Sequence, residues 1–404
     1  MTDARTAATA GSADAPVAVL RSDATALDAV AHLLAPSAPS GGPRRSYAVL
    51  PRRSRPRYLV PVAGRTARSA RIRPGGSSGR SALARSLLRP ALRVGAARLV
   101  PGAIRVEDGS PADPSLRLHL AQRLGRDDID LAVALGSPRP NRKPVIQVIA
   151  GDGSTAAWAK AGVDAHTDAL VAHEAAALST HRPESPVEVP SVLAAGPWRD
   201  HQLLVLSPLE VTETGADLDI GPDAARALAG PLTEEPATTS RWWHGLEAVA
   251  ADATIDPHGH LAAALEHLAP HLDRRAWPFG AWHGDLAPWN ACWSGPRLVV
   301  WDWERSGGPV PAGLDLVHNR MQVALLRQGR SIDDAAAATV STERATLRSL
   351  GYAVDDAPLV VGAYLLTLRA RYLADARLGS LGPGAPIASA IDTLVAHDRL
   401  VARP

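Results

Sequence analysis

One stretch of the sequence, "AWHGDLAPWNACWSGPRLVVWDWE" at residues 281–304, combines oxygen-bearing side chains with five of the ten tryptophans of the chain. Asn290 follows Asp285 after only five positions. This spacing favours a tight loop that directs both side chains to one point. The apolar run "RLVV" ends just before Asp302, so it predicts a strand that delivers a carboxylate to its end.

The side chains of this stretch suit a magnesium ion next to a reacting hydroxyl group. Asn290 and Asp302 offer hard oxygen donors, and Mg²⁺ typically binds one or two carboxylates together with substrate phosphates and water. A separate carboxylate, such as that of Asp285, can orient a hydroxyl and accept its proton. His283 is expected to be a hydrogen-bonded structural residue and not a base.

The motifs "HGDLAPWN" and "VVWDWE" resemble the catalytic and metal loops of the aminoglycoside phosphotransferase and choline kinase family, which is related to the protein kinases. The resemblance implies that Asp285 is the catalytic Asp and that Asn290 and Asp302 hold magnesium. It implies that His283 supports the loop. Asp315, in "GLDL", resembles the acidic position that braces this region in the family.

The same resemblance requires a lysine on an upstream strand and a glutamate on the following helix. Lys160 in "AAWAKAG" and Glu174 in "LVAHEAAAL" stand at these places. The chain has only two lysines, Lys143 and Lys160. The resemblance therefore implies a nucleotide-binding enzyme that uses ATP and Mg²⁺ to phosphorylate a small-molecule hydroxyl, with Lys160 and Glu174 in the nucleotide site. The segment "LVLSPLE" would supply backbone groups to the adenine.

One segment departs from the family pattern. The expected phosphate-covering loop, "LGSPRPNRKP" at residues 135–144, has one glycine where the family pattern has three. Arg139, Arg142 or Lys143 could assist the phosphates in its place. Arg and Lys are not interchangeable at a tight phosphate site, because the ammonium is compact and the guanidinium is a wide planar fork.

The order of sequence patterns predicts an α+β protein with two lobes, and the family resemblance implies that this fold is protein-kinase-like. We expect a polar lead-in at 1–42 with one helix, "DATALDAVAHLL", then an extra basic N-terminal subdomain at 43–114. A small β-sheet N-lobe at 115–206 and a larger, mainly helical C-lobe at 207–404 would follow. The pair "VIQVIA" and "TAAWAKAG", joined by "GDGS", predicts a hairpin.

Composition limits the other function classes. No Asp or Glu occurs between Ala29 and Val106, although the net charge of the chain is only +2. Such a segment can be a nucleic-acid arm, but its strand-like runs favour a folded basic subdomain, so nucleic acid is an unlikely partner.

The single cysteine, Cys292, excludes an internal disulfide framework and makes a reducing cytoplasm the expected location. The apolar stretch 357–375 is too short to span a membrane.

The same residues bear on several other functions. A P-loop is excluded, because neither lysine follows Gly or precedes Ser or Thr. "GDGSTA" fits a loose dinucleotide-binding form, but the apolar run after it favours a strand. A metal-dependent hydrolase would use the loop at 283–302 and leave Lys160 and Glu174 without a role.

The main alternative is a catalytically silent kinase-like module that binds a nucleotide or a partner. The sequence is compatible with several classes of phosphate acceptor: aminoglycosides, sugars, amino alcohols and other metabolites.

Overall fold

The chain folds into two lobes, each built around its own hydrophobic core. The computed structural model describes residues 23–39, 41–62, 69, 70, 97, 100–136, 138, 141–180, 183–211 and 218–377. Within these residues the strands are β1 (Arg44–Arg52), β2 (Arg55–Pro61), β3 (Ile104–Glu107), β4 (Ile129–Ala134), β5 (Val145–Ala150), β6 (Thr155–Ala161), β7 (Val187–Glu188), β8 (Val192–Trp198), β9 (His201–Leu206), β10 (Thr233–Pro236), β11 (Ala276–Trp282), β12 (Ala291–Ser294), β13 (Arg297–Val300) and β14 (Gly307–Pro311). The helices are α1 (Asp23–Leu34), α2 (Leu116–Leu124), α3 (Ala165–Thr180), α4 (Pro222–Ala229), α5 (Arg241–Ala251), α6 (His260–Leu272), α7 (Leu314–Gln322), α8 (Ile332–Ser349) and α9 (Ala357–Ala376).

An antiparallel sheet of eight strands forms the first lobe, in the order β3-β1-β2-β4-β5-β6-β9-β8. The predicted hairpin of β5 and β6 is confirmed, with Val145 opposite Lys160. "GDGS" is therefore a tight turn between antiparallel strands, and the dinucleotide-binding interpretation of this segment is wrong. The expected α+β class, with a sheet-containing lobe before a helical one, is confirmed.

The basic segment extends this sheet. β2 pairs with β4, so the expected boundary at residue 114 falls inside one hydrogen-bonded sheet. Two described arginines of the segment pair with acids from the flanking chain: Arg44 with Glu107 on β3 at 2.5 Å, and Arg57 with Asp23 on α1 at 2.6 Å. The N-lobe sheet is consequently larger than the small sheet that the sequence predicted.

Helix α1 lies where the sequence predicted it and packs against this sheet. Its apolar residues Ala26, Leu27, Val30, Leu33 and Leu34 are buried in the same core as β4, β5 and β6. This spacing places them on one face of the helix. Part of the predicted polar lead-in therefore belongs to the N-lobe core.

Helix α3 brings an acid to the face of the sheet. Its buried positions Thr167, Leu170, Val171, Glu174 and Leu178 follow the three-to-four residue spacing of one helix face. Glu174 thus occupies a place in an otherwise mostly apolar stripe. At the helix start, the Asp164 carboxylate accepts a hydrogen bond from the backbone N–H of Thr167 at 2.8 Å.

The second lobe consists of helices α4 to α9 around two sheets of three strands, β10-β11-β14 and β12-β13-β7. Its core includes the buried side chains of Trp277, Phe279, Trp303 and Tyr364. β12 and β13 pair with Ala291 opposite Val300, which confirms a strand before Asp302. β7 joins β13 in parallel, so the segment after α3 is tied to this hairpin.

Some expectations lie outside the described residues. These are Arg139, residues 1–22 of the polar lead-in, most of residues 63–99 of the basic subdomain, and the chain beyond residue 377. Among the described residues, no helix is both long enough and apolar enough to cross a membrane.

Candidate active site

A buried lysine joins the two lobes. The Nζ atom of Lys160, on β6, lies 2.6 Å from both carboxylate oxygens of Glu174 on α3. It also lies 2.6 Å from Oδ1 of Asp302, which follows β13 in the other lobe. Burial works to lower the pKa of Lys160, but the charges of Asp302 and Glu174 outweigh it and hold the pKa above its ordinary value. Lys160 is therefore a fixed cation at the junction of the lobes.

Asp302 is held in an unusual backbone conformation, with a φ of 73°. Few residues other than glycine adopt this left-handed region, although Asp tolerates it better than most. The peptides on both sides are anchored: Trp301 N–H donates to the Asn290 carbonyl at 3.0 Å, and Trp303 N–H donates to Glu174 at 3.2 Å. The same glutamate thus fixes Lys160 and the chain that carries Asp302.

The loop between β11 and β12 brings Asp285 and Asn290 together, as their spacing predicted. The amide nitrogen of Asn290 donates to the backbone carbonyl of Asp285 at 2.9 Å and to its Oδ2 at 2.9 Å. Because Nδ2 is used in this way, Oδ1 of Asn290 is the atom that can coordinate a cation.

His283 supports this loop from a buried position. Its Nδ1 accepts a hydrogen bond from Asp285 N–H at 3.2 Å, so its Nε2 carries the proton and donates to the Trp301 carbonyl at 3.1 Å. Burial lowers the pKa of His283 to about 4, against the charges of Asp285 and Asp302. The side chain is neutral near pH 7 and links the loop at Asp285 to the strand end at Asp302.

Asp315, in the first turn of α7, holds the backbone of the same loop. Its two carboxylate oxygens accept hydrogen bonds from His283 N–H at 2.7 Å and Gly284 N–H at 3.0 Å. Burial raises the pKa of Asp315 to about 6, and the two amide hydrogen bonds oppose this shift only in part. Asp315 thus holds two successive backbone amides at the start of this loop.

Gly284 is required by the close approach of another chain segment. Its φ is +82°, and a Cβ atom at this position would lie 2.2 Å from the backbone oxygen of Arg305. The Gly in "HGD" therefore lets the loop pack against the segment that follows Asp302.

Two further side chains approach Asp285, and the sequence motifs did not indicate either of them. Nε2 of the buried His318, on α7, lies 3.3 Å from Oδ1 of Asp285, and the Tyr364 hydroxyl contacts the other ring nitrogen of His318 at 3.1 Å. Arg371, on α9, donates to the Gly284 carbonyl. Partial burial works to raise the pKa of Asp285, but the contact with His318 and the charge of Arg371 outweigh it and hold the pKa below its ordinary value.

Three carboxylates at this junction could serve a cation. Glu174, Asp302 and Glu304 each place one oxygen within 4.8 Å of the others. Glu174 already contacts Lys160 and Trp303 N–H, so Asp302 is the better placed ligand of the two residues at Lys160. An Asp oxygen with the amide oxygen of Asn290 is a donor set that fits Mg²⁺.

Two neighbouring cations of the expected phosphate-covering loop, Arg142 and Lys143, have different environments. The Arg142 side chain is buried, and it donates to the Leu135 carbonyl at 3.1 Å and to the Pro56 carbonyl at 3.0 Å. It is a structural residue of the N-lobe, so the expectation that it assists the phosphates is wrong. Lys143 instead forms an ion pair with Glu304.

Comparison with known proteins gives matches among solved structures alone. No family model matches the sequence, and no curated protein sequence matches it. An aminoglycoside phosphotransferase, solved as a ternary complex with ADP and hygromycin B, aligns with 72% of this chain and 99% of its own, at 15% identity and a TM-score of 0.48. An amicoumacin kinase, solved with AMP-PNP and Ca²⁺, aligns with 69% of this chain and 91% of its own, at 12% identity and a TM-score of 0.43. A glucosamine kinase aligns with 91% of this chain and 97% of its own, at 18% identity and a TM-score of 0.35. The chain is thus similar, at low identity, to structures of small-molecule kinases.

Proposed function

We propose that the protein is an ATP- and Mg²⁺-dependent phosphotransferase that moves the γ-phosphate to a hydroxyl group of a small molecule. The observation that carries this proposal is the position of Lys160. Its ammonium lies 2.6 Å from Glu174 in its own lobe and 2.6 Å from Asp302 in the other. A fixed cation and hard oxygen ligands are the parts that bind a polyphosphate in phosphotransferases.

Lys160 would contact the phosphate oxygens of the nucleotide. Glu174 has no exposed surface, so it serves to hold the ammonium and not to meet a ligand itself. Asn290 and Asp302 would hold the magnesium ion, which neutralises charge on the phosphate oxygens. Glu174 holds the Lys160 ammonium in position, so this charge needs little reorganisation when charge develops during transfer.

Asp285 would orient the acceptor. Its side chain is 39% exposed, so it can be reached by a substrate, while Asn290 holds one of its oxygens and His318 lies 3.3 Å from the other. The acceptor oxygen forms a bond to the γ-phosphorus as the bond to the β-phosphate oxygen breaks, ADP leaves, and the hydroxyl proton passes to Asp285. Because its pKa is held low, Asp285 is a weak base, and its main contribution is alignment before the transfer.

The test is ATP turnover with a panel of small hydroxyl compounds. We expect the wild-type protein to form ADP and a phosphorylated acceptor with at least one compound. Asp285→Asn should lower kcat by about a thousandfold or more, because the aligned proton acceptor is lost. The same variant should still bind ATP, since Asp285 is not placed among the nucleotide ligands. Asp355→Asn removes an exposed acid of the same lobe and should leave turnover unchanged.

Two results would count against the proposal. Nucleotide binding without turnover across the whole panel would favour the silent kinase-like module. Equal turnover by wild type and Asp285→Asn would show that the chemistry does not use this loop.

A further inference from the structure

Both lysines of the 404-residue chain reach the segment that follows β13. Lys160 contacts Asp302, and Lys143 forms an ion pair with Glu304, two residues further along. The Lys143 and Glu304 side chains are only 4% and 6% exposed. Asn141 donates a hydrogen bond from its side-chain amide to the other oxygen of Glu304 at 3.1 Å. Glu304 thus ties the loop between β4 and β5 to the C-lobe.

Each of the two lysines pairs with one glutamate of the same group of acids. Lys160 is held by Glu174, and Lys143 is held by Glu304, while one oxygen of each glutamate lies within 4.8 Å of an oxygen of Asp302. Three carboxylates and two ammonium groups leave this cluster with one net negative charge. Two compact cations therefore meet beside the acid that is proposed to hold the metal.

The loop that carries Lys143 differs in sequence from a glycine-rich phosphate-binding loop. Residues 135–144 contain three prolines, which lack an N–H group, and a single glycine, Gly136. Phosphates are commonly bound by backbone N–H groups of glycine-rich loops, where the chain can approach closely. This loop has less of either feature, so its side-chain cations are the groups that can replace such donors. Among its cations within the described residues, Arg142 is directed into the N-lobe, whereas Lys143 pairs with Glu304 of the C-lobe.

We propose that Lys143 is a second phosphate-binding cation, which Glu304 positions for the terminal phosphates of the nucleotide. This inference rests on the proposed function. The Lys143 ammonium takes the place of the backbone N–H groups that a glycine-rich loop would supply. Its pairing with Glu304 keeps it at the junction of the lobes, in the way that Glu174 keeps Lys160 there.

The small number of lysines allows a direct test on the unmodified wild-type protein. Biosynthetic labelling with ¹³C-lysine gives two side-chain signals, one for each residue, which Lys143→Arg or Lys160→Arg assigns. We expect ADP with magnesium to shift both signals and adenosine to shift neither. A shift of the Lys160 signal alone would overturn this inference and leave the proposed function standing. If ADP moves neither signal, both proposals fail.

Affinity measurements provide the matching test with variants. Lys143→Met should weaken ADP binding by at least about tenfold, the order expected for loss of one charge-assisted contact, and leave adenosine binding unchanged. Glu304→Gln should weaken ADP binding by a smaller factor, because the ammonium remains but loses its positioning. Arg126→Met removes an exposed N-lobe cation and should change neither affinity. A purely structural ion pair would give the opposite pattern: Lys143→Met would lower thermal stability and leave the ratio of ADP to adenosine affinity unchanged.

Discussion

At the scale of single residues, each polar side chain of the HGD loop, residues 283–290 between β11 and β12, makes a different contact. Asn290 fixes one oxygen of Asp285, and His318 approaches the other. His283 carries a defined proton on Nε2 and links the loop to the strand before Asp302. The sequence could indicate Asp285, Asn290 and His283 because they share one short motif. It could not indicate His318, because this residue comes from a helix with no motif of its own.

Gly284 provides a stability prediction at this scale. Gly284→Ala should lower the free energy of unfolding by about 3 kcal/mol or more, because the added Cβ meets the Arg305 carbonyl in a left-handed backbone conformation. Chemical denaturation of both proteins measures the difference.

Gly259 is the matched control. Its φ is +64°, but nothing lies within 4 Å of the added Cβ. Gly259→Ala should therefore cost only about 1 kcal/mol, the strain of the backbone conformation itself. Equal losses for the two variants would show that the contact with Arg305 is not tight.

At the scale of secondary-structure elements, the sequence predicted those helices and turns whose conformation depends mainly on residues close together in the chain. The apolar stripe of α1 and the Asp-Gly turn between β5 and β6 are of this kind. Short strands such as β7 and β14 were not predicted, because their pairing depends on partners far away in sequence: β7 has two residues and forms its ladder with β13, about 110 positions later. The position of Glu174 was predictable from its helix, but its burial was not.

The packing of α7 against the HGD loop leads to a prediction on pH. The pKa of Asp315 is about 6 in the folded chain, above the ordinary value of 3.8. The folded chain therefore keeps this proton at a pH where the unfolded chain has lost it, so the contribution of Asp315 to stability is present at low pH and is lost as the pH rises through 6. Between about pH 5 and pH 7.5 this loss amounts to about 1.4 kcal/mol.

Urea denaturation of the wild type and of Asp315→Asn over this pH range tests the prediction. The free energy of unfolding of the wild type, less that of the variant, should fall as the pH rises. A difference that stays constant or grows with pH would mean that Asp315 is not a protonated, buried acid near pH 5.

At the scale of the whole molecule, the main difference from the sequence-based expectation concerns the basic segment. A run of arginines without acids suggested a unit of its own, but Arg44 and Arg57 pair with acids of β3 and α1, and the described strands of this segment extend the N-lobe sheet. Charge along a sequence is a local property, whereas pairing across a sheet is not. The positions of Lys160, Glu174 and Asp302, by contrast, were expected because these residues follow one another in the same order as the motifs of the family that the sequence resembles.

The central claim is that Lys160 from one lobe and Asp302 from the other bind a single polyphosphate. Calorimetric titration with adenosine, AMP and ADP, each with magnesium, tests it most directly. The wild type should bind ADP at least about tenfold more tightly than adenosine, and Lys160→Met and Asp302→Asn should each remove most of this preference. Equal affinity of the wild type for adenosine and ADP, or an ADP preference that both variants retain, would contradict the account.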